Sequence, residues 1–270
     1  MTNQFGIMQG RLLPPQDGKL QCFPRSGWER EFDLAAEVPL DYIEWIFDTH
    51  GLEINPLRSK DGVADLQARV ARTGVKIKSV CADYFMDFPL ARCAESLSVL
   101  WDLLDHCKVL GVTRVVLPFV DNSAITPEEF DNVTDILKRA ADRALRLGVE
   151  LHLETSLPPR RFAELLLDLP TSTVKVNYDS GNSASLGYAP EEEFSCIGPR
   201  IGSVHIKDRI LNGGTVPLGS GNADFDAVFN QLRNIEYEGD FTLQVARDSD
   251  GNEVNWARKN LEFVHGYWTN

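Results

Sequence analysis

The sequence lacks any cluster of basic residues. Its 270 residues carry a formal net charge of −13, and the densest basic stretch is "PRRF" at residues 159–162. Such a chain repels a phosphate backbone or an anionic bilayer, because its cations are too dispersed to offset its carboxylates. We therefore expect neither nucleic acid nor a membrane as a partner.

Cysteine is scarce, odd in number and without metal-binding spacing. The cysteines include no CxxC pair, and they are Cys22, Cys81, Cys93, Cys107 and Cys196. This usage favours reduced thiols over a disulfide framework or a cysteine–zinc site. No apolar run reaches membrane-spanning length, and the first residues lack the basic and then apolar pattern of a signal peptide. We expect a cytoplasmic protein, and its oligomeric state stays open, with a homo-oligomer among the alternatives.

A glycine-rich phosphate loop is also missing. A doubly wound nucleotide-binding sheet normally places GxGxxG after an early strand, and this chain has none there. Strand-like segments instead alternate with helical patterns throughout, and they are "FGIMQG", "DYIEWIF", "KIKSVCAD", "RVVLPF", "VELHLET", "VKVNYD", "IGSVHIKD" and "FTLQVA". Eight strands, each followed by a helix, predict an α/β protein with a single (β/α)8 TIM barrel over residues 1–270.

Helix signals agree with this alternation. A helical pattern over residues 126–148 begins with Thr-Pro and ends at Gly148, and an amphipathic segment over residues 89–111 ends at Gly111. A last helix is predicted over residues 253–265.

Polar residues end four consecutive predicted strands. Alternation along a strand directs apolar side chains toward the helices and the residues between them toward the barrel interior. Glu154 and Asp179 are the last inward residues of the fifth and sixth strands, His205 and Lys207 face inward on the seventh, and Gln244 faces inward on the eighth. Because the C-terminal ends of barrel strands share one face, these side chains are predicted to meet at the mouth.

Two carboxylates, an imidazole and an amide oxygen form a ligand set for a divalent metal. Oxygen ligands suit Mg²⁺ or Mn²⁺, and an imidazole extends the range to Zn²⁺ or Co²⁺. Such an ion would polarise the oxygens of a hydroxy-ketone or sugar, and a nearby carboxylate could move a proton next to the carbonyl.

The strand tips resemble a known family. The segments "LHLET", "VNYDSGN" and "VHIKDR" resemble the metal-binding strands of the xylose isomerase-like barrels, and "GIMQGR" and "DYIEWIF" resemble their first two strands. The resemblance thus covers essentially the whole chain. That superfamily includes sugar isomerases, ketose 3-epimerases, inosose-processing enzymes and apurinic-site endonucleases.

The resemblance implies roles for particular residues, and two positions depart from it. In the epimerase branch Glu154, Asp179 and His205 would be metal ligands, and Glu154 would also be an acid/base. A glutamate on the eighth strand is replaced here by Gln244, and a histidine often found three residues after the sixth-strand aspartate is replaced by Asn182. The endonuclease branch needs further histidines, so with five in the chain we expect no trinuclear zinc site.

The missing glutamate leaves the second proton carrier open. An epimerisation by two bases needs a proton acceptor on each face of the substrate carbon, and the amide of Gln244 cannot accept and return a proton. Glu44, inward on the second strand, is the first candidate, followed by Asp83 at the end of the third. Lys207, inward beside His205, could act as a base or bind a substrate oxygen. A hydride-shift isomerisation or a one-base dehydration would need no second carboxylate.

Other residues are candidates for substrate binding or for a purely structural role. Asn182 and Asp83 are predicted to contact the substrate. Arg209 and Arg247 lie near strand ends, where they would hold a substrate carboxylate or phosphate or neutralise local carboxylates. Among the metal candidates, Glu154 could instead form an ion pair. Because strand alternation directs all three predicted ligands to the barrel interior, the metal interpretation is favoured.

The sequence supports three functional hypotheses. The first is a divalent-metal-dependent isomerase or epimerase of a small sugar, sugar phosphate or keto-polyol. The second is a dehydratase or lyase of an inosose-like keto-polyol. The third is a sugar-binding barrel with reduced catalysis, which the residues Gln244 and Asn182 favour.

Overall fold

Strands that alternate outward apolar and inward polar residues close into one parallel barrel. The computed structural model describes residues 3–268. The barrel strands are β1 Phe5–Met8, β2 Tyr42–Ile46, β3 Lys76–Cys81, β4 Arg114–Phe119, β5 Glu150–Thr155, β6 Val174–Asp179, β7 Ile201–Ile206 and β8 Asp240–Leu243. Their order around the closed barrel is β1–β8–β7–β6–β5–β4–β3–β2, with all neighbours parallel. The predicted α/β fold with a (β/α)8 barrel is confirmed.

Helices cover the outside of the barrel. Within the described residues they are α1 Glu31–Glu37, α2 Lys60–Thr73, α3 Tyr84–Asp87, α4 Ser96–Leu110, α5 Phe130–Leu147, α6 Pro159–Leu167, α7 Ser180–Leu186, α8 Pro190–Ile197, α9 Phe225–Asn234 and α10 Glu253–Tyr267. Gly111 and Gly148 follow α4 and α5 in the left-handed region, with φ of 83° and 69°, as the sequence predicts. None of these helices combines the length and apolar character needed to cross a bilayer.

The segment before α4 differs from its prediction. The sequence predicts one helix over residues 89–111, whereas the regular helix begins at Ser96. The guanidinium of Arg92 donates to the carboxylate of Glu129 and to two carbonyls of the loop after β4. These contacts hold residues 89–95 against the next βα loop, a tertiary interaction that a helical pattern cannot reveal.

The hydrophobic core lies between the strands and the helices. Trp45 of β2 is fully buried, and its ring packs against Trp28 and Phe32 at the start of the first helical segment. Because Trp45 faces outward, alternation turns Glu44 into the barrel interior. The apolar packing outside the barrel therefore sets the direction of the polar residues inside it.

A buried ion cluster closes the N-terminal end of the barrel. Asp240 of β8 accepts a hydrogen bond from Arg114 of β4 and lies 2.7 Å from Lys78 Nζ of β3. Burial would raise the pKa of Asp240, but the positive charges of Arg114 and Lys78 outweigh burial and hold the pKa below its ordinary value. The cluster ties opposite sides of the barrel together, at the end away from the mouth.

Replacing Arg114 by methionine should leave the Asp240 carboxylate with Lys78 as its remaining cationic partner and with the backbone N–H of Gln4. We expect the free energy of unfolding to fall by about 3 kcal/mol, because breaking a buried pair leaves an uncompensated charge. Urea denaturation followed by circular dichroism measures the change. Lys138→Met is the control, because Lys138 is 44% exposed in surface ion pairs, and its loss should cost less than about 0.5 kcal/mol. Equal losses in both variants would contradict this account.

Candidate metal centre and active site

The three predicted ligands meet inside the C-terminal mouth of the barrel. The ligand atoms of Glu154, Asp179 and His205 all lie within 4.8 Å of one another, and all three residues are buried. His205 Nδ1 is 3.3 Å from Glu154 Oε2 and 4.0 Å from Asp179 Oδ2. The residues come from β5, β6 and β7, so parallel pairing of neighbouring strands brings them together.

Two asparagines orient Glu154. Asn177 Nδ2 donates to its Oε2 at 2.9 Å, and Asn182 Nδ2 donates to its Oε1 at 2.6 Å. Burial would raise the pKa of Glu154, but contact with His205, the charge of Lys207 and the bond from Asn177 outweigh burial and lower the pKa. The carboxylate is therefore held ionised and in one orientation.

Asp179 has a structural role and also faces the site. Its Oδ1 accepts a hydrogen bond of 2.8 Å from the backbone N–H of Asn182, which caps the N-terminus of α7. Its Oδ2 faces His205 and Lys207. Burial and the nearby charge of Glu154 raise the pKa of Asp179, although Lys207 opposes them. The cap fixes the carboxylate plane and directs the second oxygen at the site.

Glu44 fixes the orientation of His205 from below. His205 Nε2 lies 2.6 Å from Glu44 Oε1, and both side chains are fully buried. Burial would raise the pKa of Glu44, but the charge and hydrogen bond of His205 outweigh burial and lower it to about 2. An ionised carboxylate only accepts hydrogen bonds, so Nε2 carries a proton and Nδ1 faces Glu154 and Asp179.

The surroundings of the second nitrogen of His205, Nδ1, indicate whether an ion fits between Glu154, Asp179 and His205. Among residues 3–268, its Nδ1 has no hydrogen-bond partner although it is buried, a costly arrangement unless a cation or proton binds there. Burial would lower the pKa of His205, but Glu44 and Glu154 raise it to about 10, which reflects the negative potential at this position. Two carboxylates and an imidazole suit Mn²⁺, Mg²⁺, Zn²⁺ or Co²⁺. The residues therefore fit a divalent ion.

The contacts of Glu44 argue for a positioning role. The sequence makes it a candidate for the second proton carrier. In the structure it lies beneath His205, its Oε2 accepts hydrogen bonds from Ser79 and Thr242, and it does not line the pocket at the mouth. Both of its oxygens thus accept hydrogen bonds inside the barrel, away from the pocket. These contacts do not support the role of proton carrier.

A polar pocket of about 340 Å³ opens at the barrel mouth, and Glu154 lines it, whereas Asp179 and His205 do not. The predicted residues that line it are Glu154, Lys207, Gln244, Asp83, Asn182 and Arg209. Arg247 does not line it, because its guanidinium donates to carbonyls of Gly10, Leu13 and Leu20 and so holds the β1–α1 loop. A larger cavity of about 530 Å³ lies outside the barrel between α2 and α4 and contains none of the predicted site residues.

Lys207 and Gln244 contact each other in the pocket wall. Lys207 Nζ donates to Gln244 Oε1 at 3.2 Å and to Asp179 Oδ2 at 3.4 Å. Gln244 Nε2 donates to Gln21 Oε1 at 3.0 Å. Gly181 permits the close packing of Lys207, since a Cβ at residue 181 would lie 2.9 Å from Lys207 Cβ. Both ends of the Gln244 amide are engaged in the wall, so its role as an ion ligand stays a prediction that these contacts do not favour.

Sequence reasoning missed two residues of the site. Asn177 faces inward on β6, and strand alternation could have identified it as a partner of Glu154. Gln21 lies in the β1–α1 loop, where no periodicity indicates which side chains turn inward. It donates to Asp83 Oδ2 at 2.7 Å and accepts from Arg11 at 3.1 Å, so it connects the loop to the mouth.

The fold and this grouping define a (β/α)8 barrel with a candidate metal centre at its mouth. The family profile described as xylose isomerase-like TIM barrel matches residues 32–266. The protein belongs to this family, which confirms the resemblance of its strand tips.

Known proteins are similar to this chain at low identity. The inosose dehydratase of Bacillus thuringiensis (strain Al Hakam) is 27% identical over 180 residues, 58% of this chain and 60% of that protein, so the match spans less than two thirds of the dehydratase. The L-ribulose-5-phosphate 3-epimerase UlaE of Salmonella heidelberg (strain SL476) is 24% identical over 258 residues, 88% of each protein. The crystal structure of the IOLI protein with a zinc atom has a TM-score of 0.76 at 20% identity, covering 99% of this chain and 100% of that one, which shows the shared fold.

Exchanging Glu44 for glutamine should remove the carboxylate that orients His205. We expect the affinity for Mn²⁺ to fall by about 10- to 100-fold, the usual effect of losing a group that orients a metal ligand. Calorimetric titration of the metal-stripped protein measures it. Glu150→Gln is the matched control, because Glu150 makes the same type of contact with His152 at 2.9 Å, deeper in the barrel. An unchanged affinity in the Glu44 variant would contradict the positioning role.

Proposed function

We propose that this protein is a divalent-metal-dependent isomerase or epimerase of a small sugar, sugar phosphate or keto-polyol, which moves a proton next to a carbonyl. The observation that carries the proposal is the buried grouping of Glu154, Asp179 and His205, of which Glu154 lines a polar pocket at the barrel mouth. The names of the two relatives, a ribulose-phosphate epimerase and an inosose dehydratase, support a carbohydrate or polyol substrate. The structural neighbour that holds zinc supports a metal cofactor.

Glu154 is the residue that we assign to proton transfer. A divalent ion held by Glu154, Asp179 and His205 would supply Lewis-acid polarisation of a substrate oxygen. Glu154 both belongs to this group and lines the pocket, where a substrate carbon would be within its reach, and its asparagine partners hold its carboxylate in one orientation. Lys207 lies in the same wall, where its ammonium group can donate to a substrate oxygen.

The amide at position 244 favours a second candidate, the dehydration of a keto-polyol. Elimination of water next to a carbonyl needs one carboxylate, which removes the carbon-bound proton and returns it to the departing hydroxyl group. Glu154 can fill this role, whereas Gln244 cannot act as a second base. The dehydratase relative agrees with this candidate. For an epimerisation, Asp83 is our candidate for the second carrier, because it lines the pocket and burial raises its pKa.

Metal analysis tests the ion-holding group. Wild-type protein loaded with Mn²⁺ should retain the ion through dialysis, whereas His205→Ala and Asp179→Ala should lose it, since each removes a ligand. Elemental analysis by mass spectrometry measures the bound metal. Metal content equal to wild type in both variants would overturn the proposal.

Proton NMR in D₂O distinguishes the two reactions. The loaded protein is incubated with L-ribulose, L-ribulose 5-phosphate or scyllo-inosose. Deuterium next to the carbonyl together with an epimerised product indicates an epimerase, and loss of water indicates a dehydratase. Glu154→Gln should slow either reaction at least about 100-fold, because it removes the proton carrier. Glu150→Gln is the control, and an unchanged rate in the Glu154 variant would exclude Glu154 from proton transfer.

A further inference from the structure

Two cations of the pocket wall converge on one uncharged oxygen. Lys207 Nζ and Arg209 Nη1 lie 3.3 Å and 2.8 Å from Oδ1 of Asn182. Positive charges this close repel each other, and an amide oxygen offsets the repulsion far less than a negative charge would. This position therefore attracts an anion.

The negative charge near this position belongs to the proposed metal ligands, because Asn182 also donates to Glu154 and Lys207 contacts Asp179. Within residues 3–268, no carboxylate oxygen lies within 4.0 Å of the Arg209 guanidinium, whose other bonds go to the carbonyl of Gly213. Lys207 contacts one carboxylate, that of Asp179 at 3.4 Å, which belongs to the ion-holding group. Its remaining acceptor in the wall is the neutral Oε1 of Gln244, where a glutamate would have cancelled its charge.

Arg209 is also held in place before any ligand binds. Together with Asp208 it forms a two-residue strand that pairs with Thr215–Val216. The buried carboxylate of Asp208 accepts three backbone N–H bonds from the following loop, which fixes the chain at this point. A guanidinium that is ordered in advance loses little conformational entropy when it binds an anion.

The opposite wall of the pocket has the opposite charge. Asp48, Asp83 and Asp121 follow β2, β3 and β4, which lie across the barrel from β6, β7 and β8. Carboxylates accept hydrogen bonds from hydroxyl groups and repel anions. Of the other cations that line the pocket, Arg11 donates to acceptors on Val245, Leu20 and Gln21, and Lys19 is exposed in the β1–α1 loop. A ligand with one anionic end and one hydroxyl-bearing end is therefore favoured with its anion at Lys207 and Arg209.

We propose that the substrate is an anionic carbohydrate, whose phosphate or carboxylate binds between Lys207 and Arg209 and whose hydroxyl groups face the aspartates. The inference rests on the proposed function and narrows its substrate class. Both anions present two or more oxygens to a guanidinium, which binds such groups through paired hydrogen bonds.

Calorimetric titration with three ketoses tests the proposal. D-Fructose is neutral, D-fructose 6-phosphate adds a phosphate, and D-fructuronate has a carboxylate at the same carbon. We expect the protein to bind at least one of the two anions about tenfold more tightly than fructose. Raising the salt concentration from about 20 to about 200 mM should weaken anion binding alone. The preferred anion identifies whether the natural group is a phosphate or a carboxylate.

Variants of Arg209 test whether the preference for anionic ketoses arises from the position between Lys207 and Arg209. Arg209→Met should weaken binding of the preferred anion about tenfold more than it weakens binding of fructose, whereas Arg209→Lys should retain most of the preference because it keeps the charge. Arg146→Met is the control, since Arg146 is exposed in the last turn of α5, at the opposite end of the barrel.

Three results would overturn the inference: equal affinity for the three ketoses, no saturable binding of either anion, or an equal loss of all three ligands in Arg209→Met. These measurements are independent of turnover. Anion preference without any reaction would reject the proposed reaction alone, and metal-dependent turnover without anion preference would reject this inference alone.

Discussion

The hydrogen bond between Glu44 and His205 is the contact on which the rest of the site depends. It joins β2 to β7 through the barrel interior, where neither side chain is exposed. A carboxylate that only accepts hydrogen bonds determines which imidazole nitrogen carries the proton. The other nitrogen then faces Glu154 and Asp179, and their combined negative charge makes this layer of the barrel a position for a cation.

Neutral amides keep the charges of the mouth apart. Asn177 and Asn182 hold both oxygens of Glu154 without neutralising it. Gln244 likewise accepts from Lys207 and leaves its charge intact. The carboxylates therefore stay available to an ion and the cations to a ligand. The amide of Gln244 therefore removes a possible base from the pocket wall and also preserves the positive charge of Lys207 there.

Sequence patterns were sufficient for the barrel and for its central group. Each strand packs one face on helices, so alternation with a period of two marks the inward residues, and neighbouring parallel strands bring residues of equal phase together. Glu154, Asp179 and His205 were predicted on this basis, and the structure places them together. The start of α4 was predicted too early, because Arg92 binds a loop that is distant in sequence.

Only the tertiary structure decided which partners these side chains have. The alternation of the strand predicts that Glu44 faces inward. It cannot show that its carboxylate contacts the imidazole of His205, 161 positions away in the chain. It could not place Gln21 at the mouth either, because a loop has no repeating geometry that links sequence position to direction. The inward faces thus follow from local packing rules in the sequence, whereas the contacts of the site follow from barrel closure, which joins strands that are far apart in the chain.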